Sequence, residues 1–372
     1  MRERLKILVT TDAVGGVWQY SIDLARGLCE LNIETMLAVM GPCPTEEQLA
    51  SAGGVPHLEI IDTGLPLDWL AEDAAGLRKA ASEIATLAGE TGADIIQLNT
   101  PALASLADFP APVVAVQHSC VGTWWDVVRG TELPDDFAWR TELVARGLAA
   151  ADAVVTPTAA FAEMTRRRYD LARPPRMVHN GRTPLTLPKA APHDFVFTAG
   201  RLWDEGKNVV TIDRAAGGIG VPAHAAGPVQ GPNGVTVMFD NLNCLGNLGE
   251  ESLARWLAAK PVFVSAALYE PFGLSVLEAA AAGCPLVLSD IPTFRELWND
   301  VAIFVPARDE AAFTAAINRV IGDDFQRSLL GAAARERAAR YTPQAMASQM
   351  AAIYRGLLPA KQRPVLAAKA AA

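Results

Sequence analysis

The chain is short of the features that mark secreted, membrane-spanning and nucleic-acid-binding proteins. Its five cysteines, Cys29, Cys43, Cys120, Cys244 and Cys284, are an odd number and are scattered, with no C-x-x-C pair and no adjacent histidine ligands. That usage argues against a disulfide scaffold or a zinc module and fits reduced, structural thiols. Cys120 lies two residues after His118, where a small buried residue is preferred over a nucleophile. Positive charge is also scarce: 32 Lys and Arg against 41 Asp and Glu leave a net charge of −9. This argues against a nucleic-acid partner or a broadly basic membrane-binding face, while a local basic patch stays open. No apolar run approaches the ~20 residues of a membrane span, and the opening MRERLKILVTT lacks the apolar core and cleavage site of a signal peptide. The expected setting is the cytosol, without a transmembrane segment and with peripheral membrane contact left open. No D-x-D element stands out, so no metal site is expected.

What is present is enough core for more than one domain. The 372 residues are 51% hydrophobic and 20% charged, and a chain of that length exceeds what one hydrophobic core usually serves. A strand at Lys6–Thr10 leads through Thr11-Asp12 and Gly15-Gly16 into a helical pattern carrying Trp18, Ile22, Leu24, Ala25 and Leu28. Further strands are expected at Glu34–Met40, Ile95–Leu98, Val113–Gln117 and Ala153–Thr156, with helices at Asp73–Ala88 and Arg140–Ala149. Met177–Gly181 and the Pro-containing stretch Thr183–Pro192 read as the end of this unit and a linker. The alternation resumes with strands at Asp194–Ala199, Val235–Asp240, Val262–Val264, Leu286–Ser289 and Ala302–Val305. Strand–helix alternation implies parallel sheets covered on both faces, and ligands of such sheets lie at the carboxyl ends of the strands. Two doubly wound α/β units are therefore expected, their site in the cleft between them. Tyr341–Leu358 reads as a final helix, and the Ala-rich tail after Pro359 is expected to fray.

The most constraining stretch is YEPFGLSVLEAAAAGCPLVLSD, from Tyr269 to Asp290. Pro271 disfavours helix at Glu270, so the helix starts after it, with Gly273, Leu274 and Ser275 in its first turn. Gly283 followed by Pro285 marks its end. Free N–H groups at the helix start favour an anion such as a phosphate, but contribute only about 0.3–1 kcal/mol at an exposed site, so cations are needed as well. Glu278, an acceptor-only group one turn along, suits a pair of sugar hydroxyls. Together these suggest a nucleotide sugar, with phosphates on the helix start and ribose on Glu278.

The glutamate spacing, the FGL turn, the LEAAAAG helix and the strand ending in Ser289-Asp290 resemble the E-x7-E signature of retaining glycosyltransferases of the GT-B fold, specifically glycosyltransferase family 4. The resemblance implies two facing Rossmann-like domains, expected at 1–185 on the acceptor side and 194–340 on the donor side, with a helix at 341–358 crossing back to the first. Gly-Arg-Leu-Trp-Asp-Glu-Gly-Lys-Asn, from Gly200 to Asn208, is similar to the family's G-R-x-x-x-x-K-N element. Arg201 would fork onto a phosphate and Lys207 add a point charge, unless both pair with Asp204 and Glu205 on a surface loop. By the same resemblance Gly16 would turn its amide to the donor or acceptor, His118 would face the donor sugar, and Glu270 would hold that sugar's hydroxyls. The leaving phosphate would take the acceptor's proton on the same face.

Trp124, Trp125 and Arg129 are read as acceptor contacts, since tryptophans stack on sugar rings and Arg129 could meet an acidic acceptor; buried core tryptophans are the equal alternative. The Gly- and Pro-dense stretch Gly217–Gly234 departs from the family pattern, although Ala226–Pro228 still resembles a strand-end turn of the family. The expected function is transfer of a hexose from a UDP- or GDP-sugar to a hydroxyl of a sugar, lipid-linked or small-molecule acceptor, in bacterial polysaccharide or glycoconjugate synthesis. No cofactor is expected beyond that co-substrate. The alternatives are a nucleotide-sugar epimerase or phosphorylase of the same fold, and a non-catalytic nucleotide-sugar-binding subunit.

Overall fold

Short strands that are apolar on both faces build two separate parallel sheets. The computed structural model describes residues 4–359 apart from 70, 72, 232 and 233, so the tail expected to fray lies outside the described residues. The first sheet contains β1 (Leu5–Asp12), β2 (Ile33–Met40), β3 (Leu58–Asp62), β4 (Ile95–Leu98), β5 (Val113–Val116), β6 (Ala153–Thr156) and β7 (Arg176–Met177). Their order is β3-β2-β1-β4-β5-β6-β7. The second contains β8 (Val196–Ala199), β9 (Ala223–Ala226), β10 (Asn243–Cys244), β11 (Val262–Ser265), β12 (Leu286–Ser289) and β13 (Ile303–Val305), in the order β10-β9-β8-β11-β12-β13. Every strand pairing is parallel.

Strands such as β4 and β12 are buried at every position, which requires helices on both faces. The first sheet is covered by α1 (Gly16–Glu30), α2 (Glu46–Ala52), α3 (Ala74–Thr91), α4 (Val121–Val128), α5 (Asp135–Ala150) and α6 (Ala159–Arg168). Around the second lie α7 (Val209–Ala216), α8 (Glu250–Ala258), α9 (Leu274–Ala282), α10 (Pro292–Trp298), α11 (Glu310–Ile321) and α12 (Asp324–Ala338). Each sheet has a hydrophobic cluster on either side. The last helix, α13 (Pro343–Leu357), adds Met346, Met350 and Tyr354 to the core that holds Trp18 and Ile22 of α1. The two helices approach so closely that a Cβ on Gly27 would sit 2.5 Å from the Pro343 carbonyl oxygen.

Strand order reverses between β1 and β4 and again between β8 and β11, which opens a crevice at the carboxyl end of each sheet. Five strands depart from the sequence reading. The strand expected at Val235–Asp240 does not form; β9 takes that place in the sheet, and in this segment only an isolated bridge joins Thr236 to Gln230. The reason is local. Within the segment the Val237 amide donates to the Val229 carbonyl at 3.0 Å and the Asp240 amide to the Asp213 carboxylate at 3.3 Å. Just beyond it that carboxylate also accepts from the amides of Asn241 and Leu242 at 2.8 and 3.1 Å, and Met238 is 91% exposed. The edge strand β3, interrupted by Glu59 and Asp62, and the two-residue strands β7 and β10 complete the five with β9.

Candidate active site

Two helix starts meet where the crevices face each other. After β1, Oδ1 of Asp12 accepts from the amides of Val14 and Gly15 at 2.9 and 3.1 Å, turning the chain so that α1 begins at Gly16. After β11, Gly273 adopts φ +90°, a left-handed conformation that favours glycine, and α9 begins at Leu274. A Cβ on Gly16 would lie 3.3 Å from Leu274 Cδ1, so the two starts are in contact distance. Neither Gly15 nor Gly16 has positive φ, so at Gly16 the requirement is room and not backbone freedom. Both helices lack a side-chain cap and an acidic residue in the first turn. Elsewhere α2, α3, α6, α11, α12 and α13 are each capped by a Thr or Asp, while α5, α7, α8 and α10 also have no side-chain cap, so it is the meeting of the two starts that sets α1 and α9 apart. Two uncapped positive poles directed at one crevice favour an anion there.

Cations flank this point. Arg201 follows β8; its Nη2 donates to Asp204 Oδ2 at 2.9 Å and its guanidinium lies 5.7 Å from the Trp203 ring centre. Burial raises the pKa of Asp12, while its two amide bonds and the field of Arg201 oppose that rise, so Arg201 acts across the crevice. Lys207 donates directly to the Glu270 carboxylate. The loops carrying these residues are joined, because the Gly206 carbonyl accepts from the amides of Leu268 and Tyr269 at 2.8 and 3.2 Å. Asn208 fixes the turn's far end through its amide group to the carbonyls of Ala266 and Ala307, at 2.9 and 2.7 Å. Thus Arg201 takes the Asp204 pairing of the surface-loop alternative, and Lys207 does not.

His118 stands at the end of β5, with the Tyr20 ring edge-on at 4.4 Å. Desolvation pushes its pKa down to about 3, so it is neutral at physiological pH. Its Nε2 lies 3.2 Å from Asn99 Oδ1. The Asn99 side-chain amide nitrogen donates to the Thr10 carbonyl at 2.8 Å and Gln97 Nε2 donates to Asn99 Oδ1 at 3.0 Å, so Oδ1 faces the imidazole as an acceptor. Assigned from this network, Nε2 carries the proton and Nδ1 keeps its lone pair. Tyr354 of α13 anchors the chain from behind by donating to Gln97 Oε1.

Glu278 is not free. Its Oε1 accepts from Arg182 Nε at 2.8 Å, while Arg182 also donates to Asp23 at 3.1 Å and Glu250 at 2.6 Å. Burial raises the Glu278 pKa more than Arg182 lowers it. Burial equally opposes the charge of Arg182, but its three carboxylates more than offset that and hold it protonated. A cavity of about 150 Å³ remains beside them, lined by Arg182, Thr183, Leu277 and Glu278 among others. Trp124, Trp125 and Arg129, read from sequence as acceptor contacts, are engaged with protein. The Trp124 indole donates to Asp204 Oδ1 at 3.0 Å, Arg129 pairs with Glu205 at 2.7 Å, and the Trp125 indole donates to the Glu132 carbonyl at 3.1 Å.

Sequence reasoning missed Arg182, Asn99 and Asp12. Arg182 is the lone cation of the stretch from Met177 to Pro188, which was the signal available for it; Asn99 carried no signal, since its partner His118 is 19 residues away on another strand.

Residues 14–184 match the family profile described as Glycosyltransferase Family 4, and residues 222–323 match that described as Glycosyl transferases group 1. A phosphatidyl-myo-inositol mannosyltransferase of Mycobacterium leprae is 32% identical over 120 residues, which is 32% of this chain and 32% of that protein. The match thus spans about a third of the curated relative's length. Among solved structures, a sucrose-phosphate synthase from Thermosynechococcus elongatus superposes with a TM-score of 0.77 at 21% identity, covering 95% of this chain and 99% of that one. An Anabaena protein solved in complex with UDP-glucose superposes with a TM-score of 0.70 at 18% identity, over 95% and 100% of the two chains. Likeness at those identities shows a shared fold.

Proposed function

Because the chain belongs to the group 1, family 4 glycosyltransferases of the GT-B fold, we propose that it moves a hexose from a nucleoside diphosphate sugar to an acceptor hydroxyl, with retention at the anomeric carbon. The observation that carries this reading is the meeting of the uncapped starts of α1 and α9, with Arg201 and Lys207 on the loops beside them. The donor's diphosphate lies at that meeting point. Arg201 forks onto one phosphate and Lys207 adds a point charge, each such bond contributing about 1.5–3 kcal/mol. No metal is required, since these groups stabilise the charge that grows on the leaving diphosphate. The UDP-glucose held by the Anabaena neighbour and the mannosyl transfer named for the relative support a donor of this class.

Glu270 accepts from hydroxyls of the transferred sugar, and the hydrogen bond from Lys207 aims it. His118, neutral, offers the Nδ1 lone pair to a further sugar hydroxyl, keeps its Nε2 proton and transfers none in the reaction. The bond from the anomeric carbon to the phosphate oxygen breaks as the acceptor oxygen bonds to the same face. The acceptor's proton passes to the leaving phosphate oxygen. Glu278 and Arg182 border the ribose, and the acceptor is a sugar, lipid-linked or small-molecule hydroxyl of polysaccharide or glycoconjugate synthesis.

The test is incubation of the purified protein with a panel of labelled UDP- and GDP-hexoses and acceptors, with Glu270→Ala as control. Loss of roughly a hundredfold in turnover is expected for a positioned transition-state contact. Unchanged turnover in Glu270→Ala would contradict the role of Glu270, and absence of transfer from every donor would contradict the reading.

A further inference from the structure

Helix α4 belongs to the first domain, yet two consecutive residues on it hold both loops of the second domain's site. The Thr123 hydroxyl is 2.8 Å from the hydroxyl of Tyr269, the neighbour of Glu270. Trp124 donates its indole N–H to Asp204 Oδ1 at 3.0 Å, and the same oxygen accepts from the Gly206 amide at 2.9 Å. Asp204 is 7% exposed, so its carboxylate has little access to water and its position is decided by these donors. With Oδ1 occupied, Oδ2 is left to Arg201, whose Nη2 is the one guanidinium nitrogen hydrogen-bonded among the described residues. Gly206 is shaped for this contact: a Cβ there would lie 2.7 Å from Trp124 Nε1. The indole ring is held in turn by Arg129, whose guanidinium lies 5.8 Å from the ring centre and pairs with Glu205 at 2.7 Å.

We propose that Trp124 is a positioning residue for the donor site, acting through Asp204 to set how much of Arg201 is free for phosphate, and not an acceptor-stacking residue. The proposal rests on the donor reading above. Removing the indole N–H leaves Oδ1 short of a donor, and the buried carboxylate answers by drawing Arg201 into a fuller ion pair. Arg201 is then less available to a ligand. Thr123 does the equivalent for the Glu270 loop through Tyr269, so docking of α4 assembles both loops together.

The experiment is titration calorimetry with UDP, GDP and pyrophosphate, together with kinetics for the active donor. If the wild type binds none of the three, the donor reading fails and this inference with it. If the wild type binds, Trp124→Phe, which keeps a ring and removes the N–H, is expected to weaken diphosphate affinity about tenfold and to leave acceptor KM unchanged. In an Arg201→Ala background the same substitution is expected to change affinity by less than about twofold, because the effect passes through Arg201. Wild-type affinity in Trp124→Phe, full additivity with Arg201→Ala, or a rise confined to acceptor KM would each overturn the proposal. Should Trp124→Phe fail to fold, Gly206→Ala displaces the indole by contact and is read by the same criteria.

Discussion

His118 has its proton placed by its neighbours. Asn99 Oδ1, oriented by Thr10 and Gln97, takes the Nε2 proton, and desolvation holds the ring neutral with a pKa near 3. The folded pKa lies below the ordinary value, so between about pH 6.5 and 3 the unfolded chain binds a proton that the folded chain refuses. Stability from this residue is therefore complete above about pH 6.5 and is lost as pH falls. The midpoint of thermal unfolding should drop more steeply between pH 6.5 and 4.5 in the wild type than in His118→Asn. Parallel curves would show that the ring titrates normally. The position of this histidine just after β5 was legible in the sequence, and its proposed place in the site rests on the family resemblance. Its tautomer was not legible, because Gln97, Asn99 and Tyr354 come from other elements.

At the scale of elements, the turn into α9 was the most legible part of the chain. Pro271, Gly273 and Gly283 punctuate it locally, and both glycines are left-handed, at φ +90° and +81°. Gly273 is also crowded, since a Cβ there would meet Phe294 Cε1 at 3.2 Å and Glu270 Cγ at 3.3 Å. Gly273→Ala should lose about 1–3 kcal/mol of unfolding free energy and should reduce turnover by displacing Glu270. Gly15→Ala, with extended backbone and nothing within 4 Å, should be tolerated. Equal denaturant midpoints for the two variants would contradict this account of the turn. The misread strand at Val235–Asp240 shows what local pattern misses. Its alternation of apolar residues is real, but the Val237 amide turns back to the nearby Val229 carbonyl and the Asp240 amide goes to the Asp213 carboxylate, so neither joins the sheet.

Across the whole molecule, the two α/β units were legible because strand and helix periodicities are local. The contacts between them were not, because each joins residues far apart in sequence. Arg182 ties Asp23 of α1 to Glu250 and Glu278 of the second domain. Glu296 of α10 accepts from the first amides of α6, Ala159 at 2.9 Å and Ala160 at 2.8 Å, and pairs with His179 at 3.0 Å. The described residues contain no helix long and apolar enough to cross a membrane. These ties bring the starts of α1 and α9 together, and the central claim is that a nucleoside diphosphate is held between them. Calorimetric titration of UDP and GDP into the wild type and into Arg201→Ala/Lys207→Ala tests it most directly. Binding of at least one nucleotide by the wild type, weakened by a hundredfold or more in the double variant, is expected from about 1.5–3 kcal/mol per charge-assisted bond. Equal affinity in the two proteins would contradict it.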